Sequence, residues 1–339
     1  MSQASLSLKS LNSFAINAKA QEIVTLTDLA QLEQFTKTLP KQFYILGGGS
    51  NSLFINDYQG TIICPDFKGI KLTETSDSYL LDVASGEDWH ELVQYCLNNN
   101  IAGLENLALI PGNCGAAPIQ NIGAYGIEFA DVCDYVKWFD FTTGKVQVLS
   151  KQDCQFAYRN SIFKGALKNK GLVIAIGIKL NKKWQPLLNY AGLNELGNTP
   201  TPKQVFEQVV AIRQAKLPDP KQLPNAGSFF KNPVVNAALF ENIKQQYPQL
   251  ISYPLANGDI KLAAGWLIQE CGLKGKTIGG AAVHKLQALV LVNVDNASGE
   301  DVIALAKFVQ RSVFKKFGVN LEPEVRLIAN CGEVLLENL

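Results

Sequence analysis

A mixed α and β fold in two or three domains is what the sequence predicts, on three observations. Short apolar strand-like runs recur from one end of the chain to the other, with amphipathic helical stretches set between them. The 339 residues are 47% hydrophobic and 18% charged, which is enough apolar material for large cores. Near residues 200–220 a capped helix and two prolines divide the chain into stretches of different texture.

The elements follow in order. EIVTLT predicts a strand, and DLAQLEQFTKTL a helix with Leu29, Leu32, Phe35 and Leu39 on one side and Thr27 as its N-cap. FYIL predicts a buried strand running into GGGSNS. TIIC and YLLDVAS predict further strands, and EDWHELVQYCLNN a helix. DYVKWFDF, KVQVLS and LVIAIGIKL predict the next strands. In TPTPKQVFEQVVAIRQAKLPDP, Thr201, Pro202 and Gln204 supply an N-cap, a first-turn proline and a capping-box partner, and the helix ends near Lys216. Beyond it come helices at AALFENIKQQY and LAAGWLIQECG and a strand at ALVLVN. A long helix capped by Ser298 carries the core stripe Val302, Ala306, Val309, Val313 and Phe317. NLEPEVRLIA predicts a closing strand.

Composition narrows the function. With 31 basic and 30 acidic residues the net charge is +1, and no basic run stands out, which argues against nucleic acid as a partner. The seven cysteines include no C-x-x-C pair, so neither a disulfide framework nor a zinc knuckle is expected. His90 and His284 are the only two histidines, too few for a His-rich metal centre. No run of 18 apolar residues predicts a membrane span, and the N-terminal MSQASLSLKSLNSF lacks the pattern of a signal peptide. The expected location is the cytoplasm, and nothing demands more than a monomer.

Several stretches carry chemistry. LGGGSNSLF follows a strand, and its glycines let backbone N–H groups turn toward an anion; it matches neither a P-loop nor a G-x-G-x-x-G fingerprint. LIPGNCGAAPIQNIGAYG holds four glycines and two prolines with almost no charge, which suits backbone packed against a large ligand or a buried crossover. FAYRNSIFK places Arg159 among aromatic rings, where a guanidinium needs an anion, either a structural carboxylate or a ligand. LEPEVRL alternates Glu322, Glu324 and Arg326 with Leu321, Val325 and Leu327. NAGSFFKNP sets Ser228 between Gly227 and two phenylalanines, as a proton donor in a dry pocket or as a plain strand end. A serine hydrolase lacks the G-x-S-x-G elbow and a local base.

Taken together, LGGGSNSLF, LIPGNCGAAPIQNIGAYG, YRNSIFK, KLPDP, NAGSFFKNP, AAGWLIQ, GGAAVH and LEPEVR, in this order and across essentially the whole chain, resemble the UDP-N-acetylenolpyruvoylglucosamine reductases. Tyr190 in NYAGL resembles the subclass that keeps a tyrosine loop over the substrate. The resemblance implies an α+β fold of the vanillyl-alcohol-oxidase-like type. In it, residues 1–66, joined by 320–339, and residues 67–216 form two FAD-binding subdomains, and 217–319 form a substrate domain. It implies an FAD enzyme of peptidoglycan precursor synthesis that reduces UDP-N-acetylglucosamine enolpyruvate to UDP-N-acetylmuramate with NADPH.

The resemblance also implies roles. Hydride passes through flavin N5 to C3, Ser228 gives a proton to C2, and Arg159 with Glu324 stabilises the charge that develops. Glu324 helps only as a hydrogen-bond donor. Tyr190, Lys216, Asn232 and Gln287 match positions that hold the sugar nucleotide. Gly47, Gly48, Gly49, Ser50 and Asn51, with Pro111, Gly112, Ile119, Ile122, Gly123 and Tyr125, match the FAD cradle, and Arg213 and Arg326 the cofactor-side arginines. Relatives often carry serines where this chain has Ala116 and Ala117, which leaves that contact to backbone N–H groups. Two rivals remain: another flavin oxidase, which would not need Ser228, Arg159 and Glu324, and a UDP-sugar-binding protein without turnover.

Overall fold

A computed structural model of the chain describes residues 6–190, 192–255 and 257–339. They form two compact units. The first gathers residues up to Gln21, Gly49–Gln59 and Lys216–Leu339; the second gathers Glu22–Gly48 and Gly60–Ala215. The glycine loop LGGGSNS is one of the places where the chain passes from one unit to the other. Among the described residues no helix is long and apolar enough to cross a membrane.

The second unit is built on a five-stranded antiparallel sheet. Its order is Lys145–Ser150, Cys133–Asp140, Gly171–Asn181, Ser78–Ala84 and Ile70–Glu74. Val136, Ile176, Val83 and Leu81 lie on its buried face with Trp89, Leu92 and Val93 of the helix Trp89–Asn98. That helix starts at Asp88, whose carboxylate accepts the N–H of Glu91. The predicted helix near residue 30 is Leu29–Thr36, and its cap is Asp28, which accepts from Gln31 N–H at 2.8 Å. Thr27 instead bonds the Gln31 side chain; Asp28 directly precedes the helix, so its carboxylate is the one placed to take the free N–H. The helix Pro202–Lys216 has the predicted capping box, with Thr201 and Gln204 bonded in both directions.

In the first unit Asn225–Ser228, Val290–Asn293, Ala281–Val283 and Thr277–Ile278 form a four-stranded antiparallel sheet. The helix Gly299–Phe317 packs its stripe Val302, Ala306, Val309, Val313 and Phe317 inward, all five buried. Ser298 and Asp301 close a capping box, and Gly318 ends the helix in the left-handed conformation. Ser52–Phe54 pairs in parallel with Arg326–Ala329. The expected strand over 321–327 is regular only from Arg326. Pro323 has no N–H to give a ladder, so ahead of Arg326 the stretch makes a single bridge, Phe230 with Pro323. All seven cysteines are free thiols.

Candidate functional site

The expected site residues fall into two groups, one in each unit, and each group is described within its own unit.

In the second unit the strand Phe43–Ile45 pairs in parallel with Thr61–Ile63, and Leu46 N–H continues the ladder to Ile63. The chain then reaches Gly47 and Gly48. A Cβ on Gly48 would lie 2.8 Å from Asn113 Oδ1 and 3.0 Å from Gly112 Cα. The two uncharged glycine stretches therefore meet, and only glycine lets their backbones approach this closely. Gly115 is tighter still, with Ser85 Cβ 2.4 Å from where its own Cβ would sit. The stretch is further pinned by Trp89 N–H to Gly112 C=O at 3.0 Å and Cys114 N–H to Glu87 C=O at 2.7 Å. Beside it Ser85 is 1% exposed, and its hydroxyl finds no hydrogen-bond partner among the described residues. Bare backbone and an unsatisfied hydroxyl, in a stretch that itself carries no charged residue, are the surroundings a large phosphate-bearing cofactor fits. Ala116 and Ala117 follow in a tight turn, with Ala117 N–H bonded to Cys114 C=O. Ile119 and Ile122 pack into the same core. Pro111 is exposed at the mouth of the stretch.

Arg159, Arg213, Tyr125 and Tyr190 come together in this unit. Arg159 has φ +52°, and its Nη2 donates to Gly123 C=O at 3.2 Å. A left-handed residue that is not glycine is strained, and such strain gathers at functional sites. Burial holds the Arg213 guanidinium below its ordinary value; Tyr125 opposes this, and the positive charge of Arg159 adds to it. Two guanidiniums close enough to oppose each other make a place where an anion is favoured. The rings of Tyr125 and Tyr190 meet edge to face, with centroids 5.0 Å apart. Tyr190 stays 40% exposed, so its hydroxyl is within reach of solvent. Burial raises the Tyr125 phenol above its ordinary value.

In the first unit Gly227 has φ +69°, and a Cβ there would meet nothing within 4 Å. The glycine is required by conformation, for the irregularity in pairing between Asn225 and Ser228. The two phenylalanines are core residues: Phe229 and Phe230 are 0% and 1% exposed, their rings 5.0 Å apart. They anchor the strand and leave Ser228 half-buried at its end.

Beyond Ser228 the chain lies along the LEPEVR stretch. Glu324 N–H donates to Phe229 C=O at 2.7 Å, and Lys231 N–H to Glu322 C=O at 2.9 Å. Ser228 and Glu324 are thus set on neighbouring backbone. Asn51 joins the same stretch, its Nδ2 donating to Glu324 C=O at 3.2 Å and its own C=O accepting from Arg326 N–H at 3.0 Å. The alternation read in LEPEVRL holds, with Leu321, Val325 and Leu327 buried and Glu322 exposed.

Three expected substrate residues lie elsewhere in this unit. Asn232 Oδ1 accepts from Ala264 N–H at 3.0 Å and so serves the first turn of the helix Ala264–Glu270. Gln287 lies in the turn after His284, half-buried, its Oε1 facing Leu289 N–H. Lys216 ends its helix, exposed. The sequence reading missed the carboxylate that faces Arg326: Glu333 Oε2 lies 3.3 Å from its Nη2. A basic residue on one strand and an acid seven residues later, with Asn330 and Gly332 between them, was the available signal.

A sequence profile described as the FAD binding domain matches residues 20–150. One described as the UDP-N-acetylenolpyruvoylglucosamine reductase C-terminal domain matches residues 219–328. The reductase of that name from Photorhabdus laumondii is 51% identical over 333 residues, covering 97% of this chain and 98% of its own. That from Escherichia coli K12 is 51% identical over 332 residues, covering 97% of each. The crystal structure of the Thermus caldophilus enzyme of the same name superposes with a TM-score of 0.68 at 23% identity, over 96% of this chain and 98% of its own. At that identity the likeness speaks to the fold, and it bears out the α+β expectation.

Proposed function

Because the chain belongs to the UDP-N-acetylenolpyruvoylglucosamine reductase family, we propose that it reduces UDP-N-acetylglucosamine enolpyruvate to UDP-N-acetylmuramate with NADPH, for peptidoglycan precursors, in the cytoplasm. The observation that carries this reading is the Glu324 N–H to Phe229 C=O bond at 2.7 Å, which sets a hydroxyl and a carboxyl on adjoining backbone as the reaction requires. We assign the chain to the tyrosine-loop subclass on Tyr190, which is exposed against Tyr125.

Gly47, Gly48 and Gly49 with Ser50, Asn51, Pro111, Gly112, Ile119, Ile122, Gly123 and Tyr125 would hold FAD, which when bound would supply the hydride that C3 of the enolpyruvyl group takes up, with NADPH as its source. Arg213 and Arg326 face the cofactor side. Ser228 supplies the proton that C2 takes up. A serine hydroxyl is a weak acid, so it serves here because the acceptor carbon is strongly basic at that moment. Arg159 offers a fixed positive charge to the enolpyruvyl carboxylate, into which negative charge spreads, and Glu324 donates a hydrogen bond to the same centre. Tyr190, Lys216, Asn232 and Gln287 hold the sugar nucleotide, Lys216 as a point charge for phosphate. In this division of labour residues 1–66 with 320–339, and 67–216, hold the cofactor, and 217–319 hold the substrate.

The test is the visible spectrum of the purified protein, repeated after anaerobic NADPH. The expected result is a yellow flavin spectrum that bleaches with NADPH and returns on adding the enolpyruvyl sugar nucleotide. A protein that cannot be loaded with FAD removes the reading. Bleaching that only oxygen reverses moves it to a flavin oxidase.

A further inference from the structure

Two neighbouring polar side chains of the second unit have no part in the chemistry above, yet both are buried. Glu105 is 3% exposed and Asn106 is 2% exposed, on the short turn Glu105–Leu107. Burial of a carboxylate and an amide is costly unless each finds partners. Glu105 accepts from the Trp184 indole N–H at 2.6 Å and from Gly103 N–H at 2.7 Å. Asn106 Nδ2 donates to Tyr125 C=O at 2.9 Å and to Leu187 C=O at 3.0 Å.

These bonds converge on one segment. Trp184 and Leu187 form the root of the stretch that carries Tyr190, and Tyr125 carries the ring that Tyr190 touches. Tyr125 has φ +50°, a conformation that its surroundings must enforce. Past Tyr190 the chain is held again, by Gln208 Nε2 to Gly192 C=O at 2.9 Å. A cleft of about 310 Å³ runs along Asn106, Lys179, Trp184 and Leu187, so part of the segment's back is open and its grip there is polar.

We propose that Glu105 and Asn106 are positioning residues, a two-point clamp that fixes the root of the Tyr190 segment and the backbone of Tyr125 in one register. Asn106 sets the aromatic pair from beneath, and Glu105 holds the segment at Trp184. This deepens the functional reading, since it rests on Tyr190 as a contact to the sugar nucleotide.

The test uses Asn106→Leu, which keeps the volume and removes both donors, and Trp184→Phe, which keeps a ring and removes the indole N–H. Without any ligand, chymotrypsin should cut after Leu187, Leu188 or Tyr190 about tenfold faster in either variant, as expected for a lost buried hydrogen bond that raises the open population. Cuts elsewhere should keep their rate. Faster cutting spread over the five-stranded sheet, or no change in either variant, overturns the clamp.

In turnover, Asn106→Leu should raise KM for the enolpyruvyl sugar nucleotide about tenfold. That rise should vanish in a Tyr190→Ala background, because the clamp acts through Tyr190. A rise of the same size in that background overturns the proposal. If the unsubstituted protein does not turn over the sugar nucleotide, the functional reading fails, and the proteolysis pattern still decides the clamp.

Discussion

Ser228 lies at the end of a strand whose next two residues are wholly inside the core of the first unit. Its register is fixed by main-chain bonds to Leu289 and Glu324 through Phe229. Tyr190 in the second unit lies on irregular chain, with its ring open to solvent and its root held by side chains. On the proposed function Ser228 delivers one proton to one carbon, which favours the first arrangement, since a small misplacement is costly. As a proposed contact to the sugar nucleotide, Tyr190 is suited by the second, since loops carry the lower local stability.

The contrast can be broken at its rigid end first. Phe229→Ala should destabilise the first unit by about 3–5 kcal/mol, as for a fully buried ring, with an earlier urea midpoint as the readout; a loss under about 1 kcal/mol would mean the strand is not held by its core residues. Ser228→Ala should leave folding alone and lower turnover on the order of 10²-fold or more, with flavin reduction by NADPH spared. Unchanged turnover removes Ser228 from the proton step.

Two glycines sharpen the same comparison. Gly115→Ala puts a Cβ 2.4 Å from Ser85 Cβ, so a loss of about 1–3 kcal/mol from overpacking is expected, together with weaker FAD retention on gel filtration. Gly227→Ala meets open space and only a left-handed φ, for which about 1 kcal/mol is expected. The reverse ranking in urea titrations would show that the cradle yields and the strand does not.

The smallest effect is a pH dependence in the second unit. His90 Nδ1 accepts from Leu109 N–H at 3.0 Å, and its ring lies parallel to Phe206. Burial lowers its pKa from 6.5, Asp88 and Glu91 oppose this, and Arg213 adds to it. Between the lowered value and 6.5 the unfolded chain binds the extra proton. The stabilisation is therefore full above 6.5 and drains as pH falls below it. The melting temperature should drop on going from about pH 7.5 to about pH 5, and His90→Gln should flatten part of that slope. His284 is lowered in the same direction and should leave a remainder. An unchanged slope would remove His90 from the account.

Much of this was legible in the sequence because the signals were local. The capping box at Thr201, the cap at Ser298 and the helix stripe ending at Phe317 need only neighbouring residues to be read. The glycine stretches were legible as closely packed backbone because uncharged turns are rare at a surface, and Gly48 does lie against Gly112 and Asn113. What escaped was set by pairing across distance. Glu105 meets Trp184 across 79 residues and Asn106 meets Leu187 across 81, and no periodicity marks either partner. The fate of Phe229 and Phe230 was ambiguous for a related reason, since an apolar pair beside a serine reads alike whether it lines a pocket or fills a core.

The ladder between Ser52–Phe54 and Arg326–Ala329 has a consequence for how the protein is made. On the ribosome the chain emerges from its N-terminus, and Glu22–Ala215 holds every residue of the second unit. That unit can therefore consolidate while the chain is still growing. The first unit must keep Ser52–Phe54 waiting until Arg326 has cleared the exit tunnel, and so far-separated a partner is slow to find. Synthesis should then be sensitive to truncation: arrested chains ending before residue 326 should resist protease across the second unit and be digested in the first.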